Sequence, residues 1–162
     1  MKIGLMADSH DRLPAISALL DVMLSKGVSL VMHAGDYCAP FALKPFSDAN
    51  IALLGIFGRN DGDPEGLKAT AAQGMGMELY ESPHSFEVSG HRILIVHDIG
   101  EVNRRSISSH QFVVHGSTHK LETVTRGETL IINPGEACGW ITGVCTGAIL
   151  DLETSEVEVI TV

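Results

Sequence analysis

Five short polar stretches carry side chains able to hold a divalent metal: Asp8-Ser9-His10, Gly35-Asp36, Gly58-Arg59-Asn60-Asp61, His97-Asp98 and Gly116-Ser117-Thr118-His119. Carboxylate oxygens and imidazole nitrogens together suit Mn, Fe, Zn, Co or Ni better than Ca or Mg alone. A carboxylate such as Asp36 can also bridge two cations. Taken singly each stretch is ordinary, since Asp-x-His is commonly a cap or a surface turn and Gly-Asp a common turn. Their order along the chain carries the information, because each one follows an apolar run.

Those runs imply the elements that must position the polar residues. The first ends at Ala7, directly before Asp8, and reads as a buried strand. Ile16, Leu19, Leu20 and Met23 then recur at helical spacing within 13–26. A second run, 28–32, precedes Gly35-Asp36; a third, within 50–58, ends at Gly58, and a helix-like segment follows at 64–73. Strands that end in polar residues and alternate with helices imply an α/β first half, in which carboxyl ends of strands face a common crevice.

Beyond Gly76 the pattern changes to short apolar stretches at 77–80, 85–88, 92–96, 111–114, 122–125, 129–132, 144–150 and 157–162. Turns such as Ser89-Gly90 and Arg126-Gly127-Glu128 between them read as hairpins. No repeat, low-complexity tract or linker interrupts the chain, so residues 1–162 are expected to form a single domain.

Composition narrows the function classes. A chain of 162 residues with 44% hydrophobic content has the size and apolar share of one domain with its own core. The 20 acidic and 11 basic residues give a net charge of −9, which opposes nucleic-acid backbones and anionic membrane surfaces. Arg104-Arg105 is the only adjacent basic pair and reads as solvated surface. Cys38, Cys138 and Cys145 lack Cys-x-x-Cys spacing, so neither a disulfide framework nor a zinc knuckle is expected, and a reducing cytoplasm fits. The first apolar run is too short for a signal peptide or a membrane span. Glycine-rich nucleotide loops are absent, which disfavours P-loop hydrolysis and Rossmann hydride chemistry.

The stretches IGLMADSHDR, MHAGD, IFGRNDGD, GSTHK and LIINPGEACGWITG, in that order, resemble the calcineurin-like metallophosphoesterases, above all the small single-domain phosphodiesterases of bacteria and archaea. The resemblance spans nearly the whole chain. It implies an α-β-β-α sandwich of two mixed β-sheets flanked by helices. It also implies hydrolysis of a small phosphodiester or phosphomonoester at a two-metal site, often manganese, by a metal-activated water. Paired cations about 3.5–4 Å apart activate water, orient the phosphoryl group and stabilise its transition-state charge. A homo-oligomer is compatible with the resemblance.

Carried over residue by residue, the resemblance gives the first metal Asp8, His10, Asp36 and His119. The second would share Asp36 and use His97, the Asn of a Gly-Asn pair and the first His of a Gly-His-Thr-His turn. This chain departs at the last two. Ser117 stands at the turn histidine, and a neutral hydroxyl is a poor ligand beside imidazole. In the gapless match Arg59 stands on the ligand Asn, and Arg neither deprotonates nor binds metals. A one-residue shift would instead bring Asn60 to the site. Asp98 follows His97 where relatives have Gly, and is a partner for an arginine at the metal edge.

These departures leave alternatives open. Arg59 can replace the second cation, its fork of donors taking two phosphate oxygens beside Asp36, in a one-metal enzyme. Or it only neutralises Asp36, Asp61 or Asp98. His115 could restore the missing nitrogen but is expected to end a strand, and His33 is expected to support the site from behind. Cys138 reads as a small buried residue and Trp140 as packing or an oligomer contact. The alternative to a phosphoesterase with one or two metals is a degenerate relative that serves as a binding scaffold.

Overall fold

The computed structural model describes residues 1–74 and 76–162. Two mixed sheets face each other. The first contains β1 (Lys2–Met6), β2 (Leu30–His33), β3 (Ala52–Ile56), β4 (Met77–Tyr80), β10 (Thr146–Asp151) and β11 (Val157–Thr161), in the order β11-β10-β1-β2-β3-β4. Strands β1 to β4 run parallel, and β10 pairs antiparallel with both β1 and β11. The second contains β5 (His84–Val88), β6 (His91–Val96), β7 (Phe112–His115), β8 (Leu121–Arg126) and β9 (Thr129–Pro134), in the order β5-β6-β7-β9-β8.

Burial explains why the central strands read as continuous apolar runs and not as alternation. β2 and β7 are buried at every position, as parallel strands covered on both faces must be. Ile3, Leu5, Met32 and Ile56 of the first sheet pack with Phe86, Ile93, Ile95, Phe112, Val114 and Ile132 of the second, and this shared core joins the two. On the outer face of the first sheet lies α1 (Leu13–Ser25), which buries Ala15, Ile16, Leu19, Leu20 and Met23 at the spacing of one helical face. Burying each large apolar side chain of this kind contributes about 1.5–3 kcal/mol.

The helical layers are completed by α2 (Lys44–Asp48), α3 (Pro64–Ala71) and α4 (Arg104–Ser108). Asp63 caps α3, its side chain accepting from Gly66 N–H at 2.9 Å, and Pro64 occupies the first turn, where a missing N–H costs nothing. The outer face of the second sheet is covered by a short 3₁₀ turn (Ile99–Glu101) and α4, with Ile99, Val102 and Ile107 packed on Leu94, Val96, Val113 and Ile131. The result is the α-β-β-α sandwich with two mixed sheets.

Hairpin pairing holds for β5-β6, β8-β9 and β10-β11, but β6-β7 and β7-β9 are parallel. The connection from β6 to β7 runs through α4, whose five residues are too few to show a helical period. The parallel pairing has a functional consequence. It turns the carboxyl ends of β6 and β7 toward the crevice formed by the ends of β1, β2 and β3.

Candidate metal centre

All five polar stretches meet at that crevice. Asp8 and His10 follow β1, Asp36 follows β2, the Gly58–Asp61 stretch follows β3, His97 follows β6, and Ser117 and His119 follow β7. Loop backbones are cross-tied: Asp8 N–H donates to the Gly35 carbonyl at 3.1 Å, Gly116 N–H to the His97 carbonyl at 3.0 Å, and Cys138 N–H to the Asp8 carbonyl at 3.0 Å. Gly35 and Gly58 explain the glycines of their motifs. A Cβ on Gly35, whose φ is +92°, would lie 2.6 Å from Gly58 N, so only glycine lets the loops after β2 and β3 touch backbone to backbone.

The backbone at the site is held in a costly conformation. Asp8, His10, Asp36 and His119 have φ of 53°, 37°, 63° and 59°. Left-handed geometry at non-glycine residues costs about 1–3 kcal/mol each and persists only where the surroundings impose it. Here the strands end and the chain turns sharply to aim each side chain inward.

Single ligand atoms of Asp8, Asp36 and His97, all buried, lie within 4.8 Å of one another, and so do those of His10, His119 and Cys138. The histidines present their Nε2 atoms to the carboxylates: His10 and His97 each lie 3.5 Å from Asp36 Oδ2, and His119 lies 3.8 Å from Asp8 Oδ1. Their Nδ1 atoms are engaged behind. His97 Nδ1 donates to the Ala34 carbonyl at 2.8 Å, and His119 Nδ1 donates to Glu136 Oε1 at 3.0 Å. A carbonyl or carboxylate can only accept, so each ring carries a proton on Nδ1 and Nε2 is the nitrogen turned toward the cluster, where a cation would take the place of any proton. His10 Nδ1 lies 3.2 Å from Cys38 Sγ, and its buried Nε2 has no hydrogen-bond partner. An orphaned nitrogen facing the buried Asp36 carboxylate is what a cation would satisfy. The residues present therefore fit a divalent metal.

Burial and close neighbours shift the charges of the cluster against one another. Burial pushes the Asp8 carboxyl above its ordinary value, against the pull of His119 and His97. Burial also opposes charge on Asp36, yet His97 and the two Asn60 donors outweigh it and hold Asp36 well below the usual carboxylate range. His97 is the counterpart: burial lowers it, but Asp36 and the Ala34 carbonyl dominate and push it up to about 9.

The third loop separates the two alternatives in space. Asn60 N–H donates to Asp36 Oδ1 and Asn60 Nδ2 to Asp36 Oδ2, both at 2.8 Å. The Arg59 side chain is 59% exposed, and its Nη2 binds Asp98 Oδ2 at 2.6 Å and Glu101 Oε1 at 3.2 Å. Asp98 is thus the arginine's partner. Asp61 is not; it accepts from the N–H groups of Asp36, Cys38 and Gly58 and knots the loops together.

The supporting residues divide similarly. Ser117 turns its N–H, not its hydroxyl, to Asp8, with Oδ2 at 3.1 Å. His115 ends β7, buried, with Nε2 3.1 Å from Glu122, away from the cluster. His33 backs the site, its Nε2 2.9 Å from Ser9 Oγ, and burial takes its imidazole down to about 3.

Sequence reasoning missed Glu136. It is buried and accepts from His119 Nδ1, from Ile141 and Thr142 N–H at 2.8 Å each, and from the Thr142 hydroxyl at 2.7 Å. Burial opposes its charge, but these donors hold it at about 2. The available signal was a carboxylate inside an otherwise uncharged Asn-Pro-Gly-Glu-Ala-Cys stretch. Cys138 is fully buried and its thiol donates to Glu136 at 3.3 Å; burial first, then that carboxylate, pushes it up to about 12, too high for a nucleophile at neutral pH.

Comparison with known proteins places the geometry in a family. Residues 1–155 match the model of the calcineurin-like phosphoesterase superfamily domain. The phosphodiesterase MJ0936 of Methanocaldococcus jannaschii is 33% identical over 159 residues, covering 96% of each chain. The structure of an archaeal phosphodiesterase superposes over 100% of both chains with a TM-score of 0.92 and 32% identity. The Escherichia coli phosphoesterase Yfce, 15% identical with a TM-score of 0.72, covers 99% of this chain and 98% of its own, and shares the fold.

Proposed function

This chain belongs to the calcineurin-like phosphoesterase superfamily and is an enzyme of the phosphoesterase class; from that premise we propose that it hydrolyses a small phosphodiester with one tightly held divalent metal. Asp8, His10, Asp36 and His119 would hold the cation, with manganese the first choice and Fe, Zn, Co or Ni admissible to the same donors. When bound, the metal supplies Lewis-acid charge and an activated water. The single observation that carries this reading is the convergence of histidine Nε2 atoms on two buried carboxylates, with that of His10 left without a partner.

The chain's own residues do the rest. Glu136 and the Ala34 carbonyl keep the rings of His119 and His97 oriented through Nδ1. His97 and Asn60 already compensate Asp36 on the side where the resemblance would place a second cation, and with Ser117 at the turn-histidine position and Arg59 turned outward to Asp98 and Glu101 this supports a count of one. Arg59 has Nη2 committed to Asp98 and Glu101; its remaining N–H groups, partnerless among the described residues, would take phosphate oxygens at the rim. The shared core between the sheets supports one functional domain over 1–162. Among the described residues no helix is long and apolar enough to cross a membrane, and the free Cys38, Cys138 and Cys145 support a reducing, cytoplasmic setting.

The test is hydrolysis of bis(p-nitrophenyl) phosphate with added Mn²⁺. Activity is expected in the wild type and its loss in Asp8→Ala and Asp36→Ala; activity indifferent to both substitutions would refute the assigned site.

A further inference from the structure

Trp140 is the chain's one tryptophan, and it is 64% exposed. A large aromatic ring left in water at the mouth of an active site is a binding surface in want of a partner. Its place is fixed from two sides. Indole Nε1–H donates to the His10 carbonyl at 3.4 Å, and the Arg12 guanidinium carbon lies over the ring, 4.7 Å from its centroid. Arg12 is in turn anchored to the Cys138 carbonyl. The loop carrying the ring is tied down by Ile141 and Thr142, whose N–H groups bind the same Glu136 carboxylate that orients His119. The ring is therefore set against one candidate metal ligand, and its loop shares an anchor with another, before any substrate arrives.

We propose that Trp140 is a specificity-determining residue that stacks a planar aromatic group carried on one ester oxygen, so that preferred substrates are phosphodiesters bearing an aryl or nucleobase group. The inference rests on the phosphoesterase reading above. With the phosphoryl group at the metal centre, an ester arm leaving past His10 meets the indole, which stays exposed with Arg12 over it. Exposed Ile141, next in the chain, extends the apolar surface. A rigid ring loses little freedom on stacking, which favours affinity for the ester over any effect on the chemical step.

Because Trp140 is the sole tryptophan, indole fluorescence reports this site alone. The full chain loaded with Mn²⁺ is titrated with phenyl phosphate, adenosine 5′-monophosphate and methyl phosphate. Quenching is expected with the aromatic phosphates and not with methyl phosphate; quenching by only one of the two identifies which ring the site takes. Equal responses to all three, or none to either aromatic ester, would overturn the proposal. So would a protein-concentration-dependent fluorescence shift accompanied by dimer formation, since the ring would then belong to a self-interface. In kinetics, Trp140→Ala is expected to raise KM for bis(p-nitrophenyl) phosphate about tenfold with little change in kcat, and Trp140→Phe to restore most of it. Wild-type hydrolysis with a KM indifferent to Trp140→Ala defeats this inference alone, whereas no hydrolysis at all defeats the phosphoesterase reading and this inference with it.

Discussion

Replacing Glu136 by Gln should damage two things at once. The carboxylate accepts from His119 Nδ1, two backbone N–H groups and a hydroxyl, and a Gln amide would turn an NH₂ toward donors it cannot satisfy. The fall of its proton affinity from 4.5 to about 2 corresponds to about 3 kcal/mol favouring the ionised, folded state. The variant should therefore unfold about 3 kcal/mol more easily at pH 7, a drop in Tm of about 6–12 °C for a chain of this size. The sign with pH follows from the lowered value. In the wild type this stabilisation is complete above about 4.5 and is lost as pH falls toward about 2. Urea unfolding at pH 7 and at pH 3 should show the gap between wild type and Glu136→Gln narrowing at the lower pH. Metal affinity should also fall about 10–100-fold, because His119 loses the group that orients it. Unchanged stability at pH 7, or unchanged metal affinity in a folded variant, would refute the assignment of Glu136 as the anchor of both His119 and the Trp140 loop.

Other substitutions separate the roles around the centre. Arg59→Ala should weaken binding of a phosphate analogue more than binding of Mn²⁺, measured by calorimetry with each; equal losses would contradict a rim clamp. Arg59→Asn combined with Ser117→His should leave the count at one metal per chain, read by elemental analysis, because the third loop sets Asn60 on Asp36 and turns residue 59 outward; a second metal would contradict that placement. Gly58→Ala should lower metal affinity, because its Cβ would overlap the Asp36 carboxylate and backbone, and an unperturbed titration would remove the steric argument. In the core, Leu19→Ala should cost about 2–5 kcal/mol in urea unfolding, since its side chain is fully buried between α1 and the first sheet.

What was legible in the sequence followed from period and punctuation. Ile16, Leu19, Leu20 and Met23 mark one face of α1, and the apolar runs before Asp8, Asp36, Gly58 and His97 correspond to strands whose ends form the crevice. The eight short apolar stretches after Gly76 each correspond to a strand. Less visible were elements without a period to show: the 3₁₀ turn Pro40–Leu43, α2 and α4, each only a turn or so long. Parallel pairing of β6, β7 and β9 was hidden as well, since a short apolar run does not say which neighbour it pairs with or in which direction. Side-chain direction was equally hidden. Arg59 and Asn60 are adjacent in sequence, yet one reaches Asp98 and Glu101 and the other Asp36, a difference set by the turn that Asp61 ties together. Glu136 escaped notice because its partners come from positions 119, 141 and 142, which only the folded chain assembles.

Metal stoichiometry per chain, measured by elemental analysis after loading with Mn²⁺ and dialysis against metal-free buffer, tests the assigned centre most directly. About one tightly held metal per chain is predicted, lost in Asp8→Ala and Asp36→Ala. Retention of two would contradict the single-metal site, and retention of none would contradict the metal-dependent enzyme and favour a binding scaffold built on the same fold.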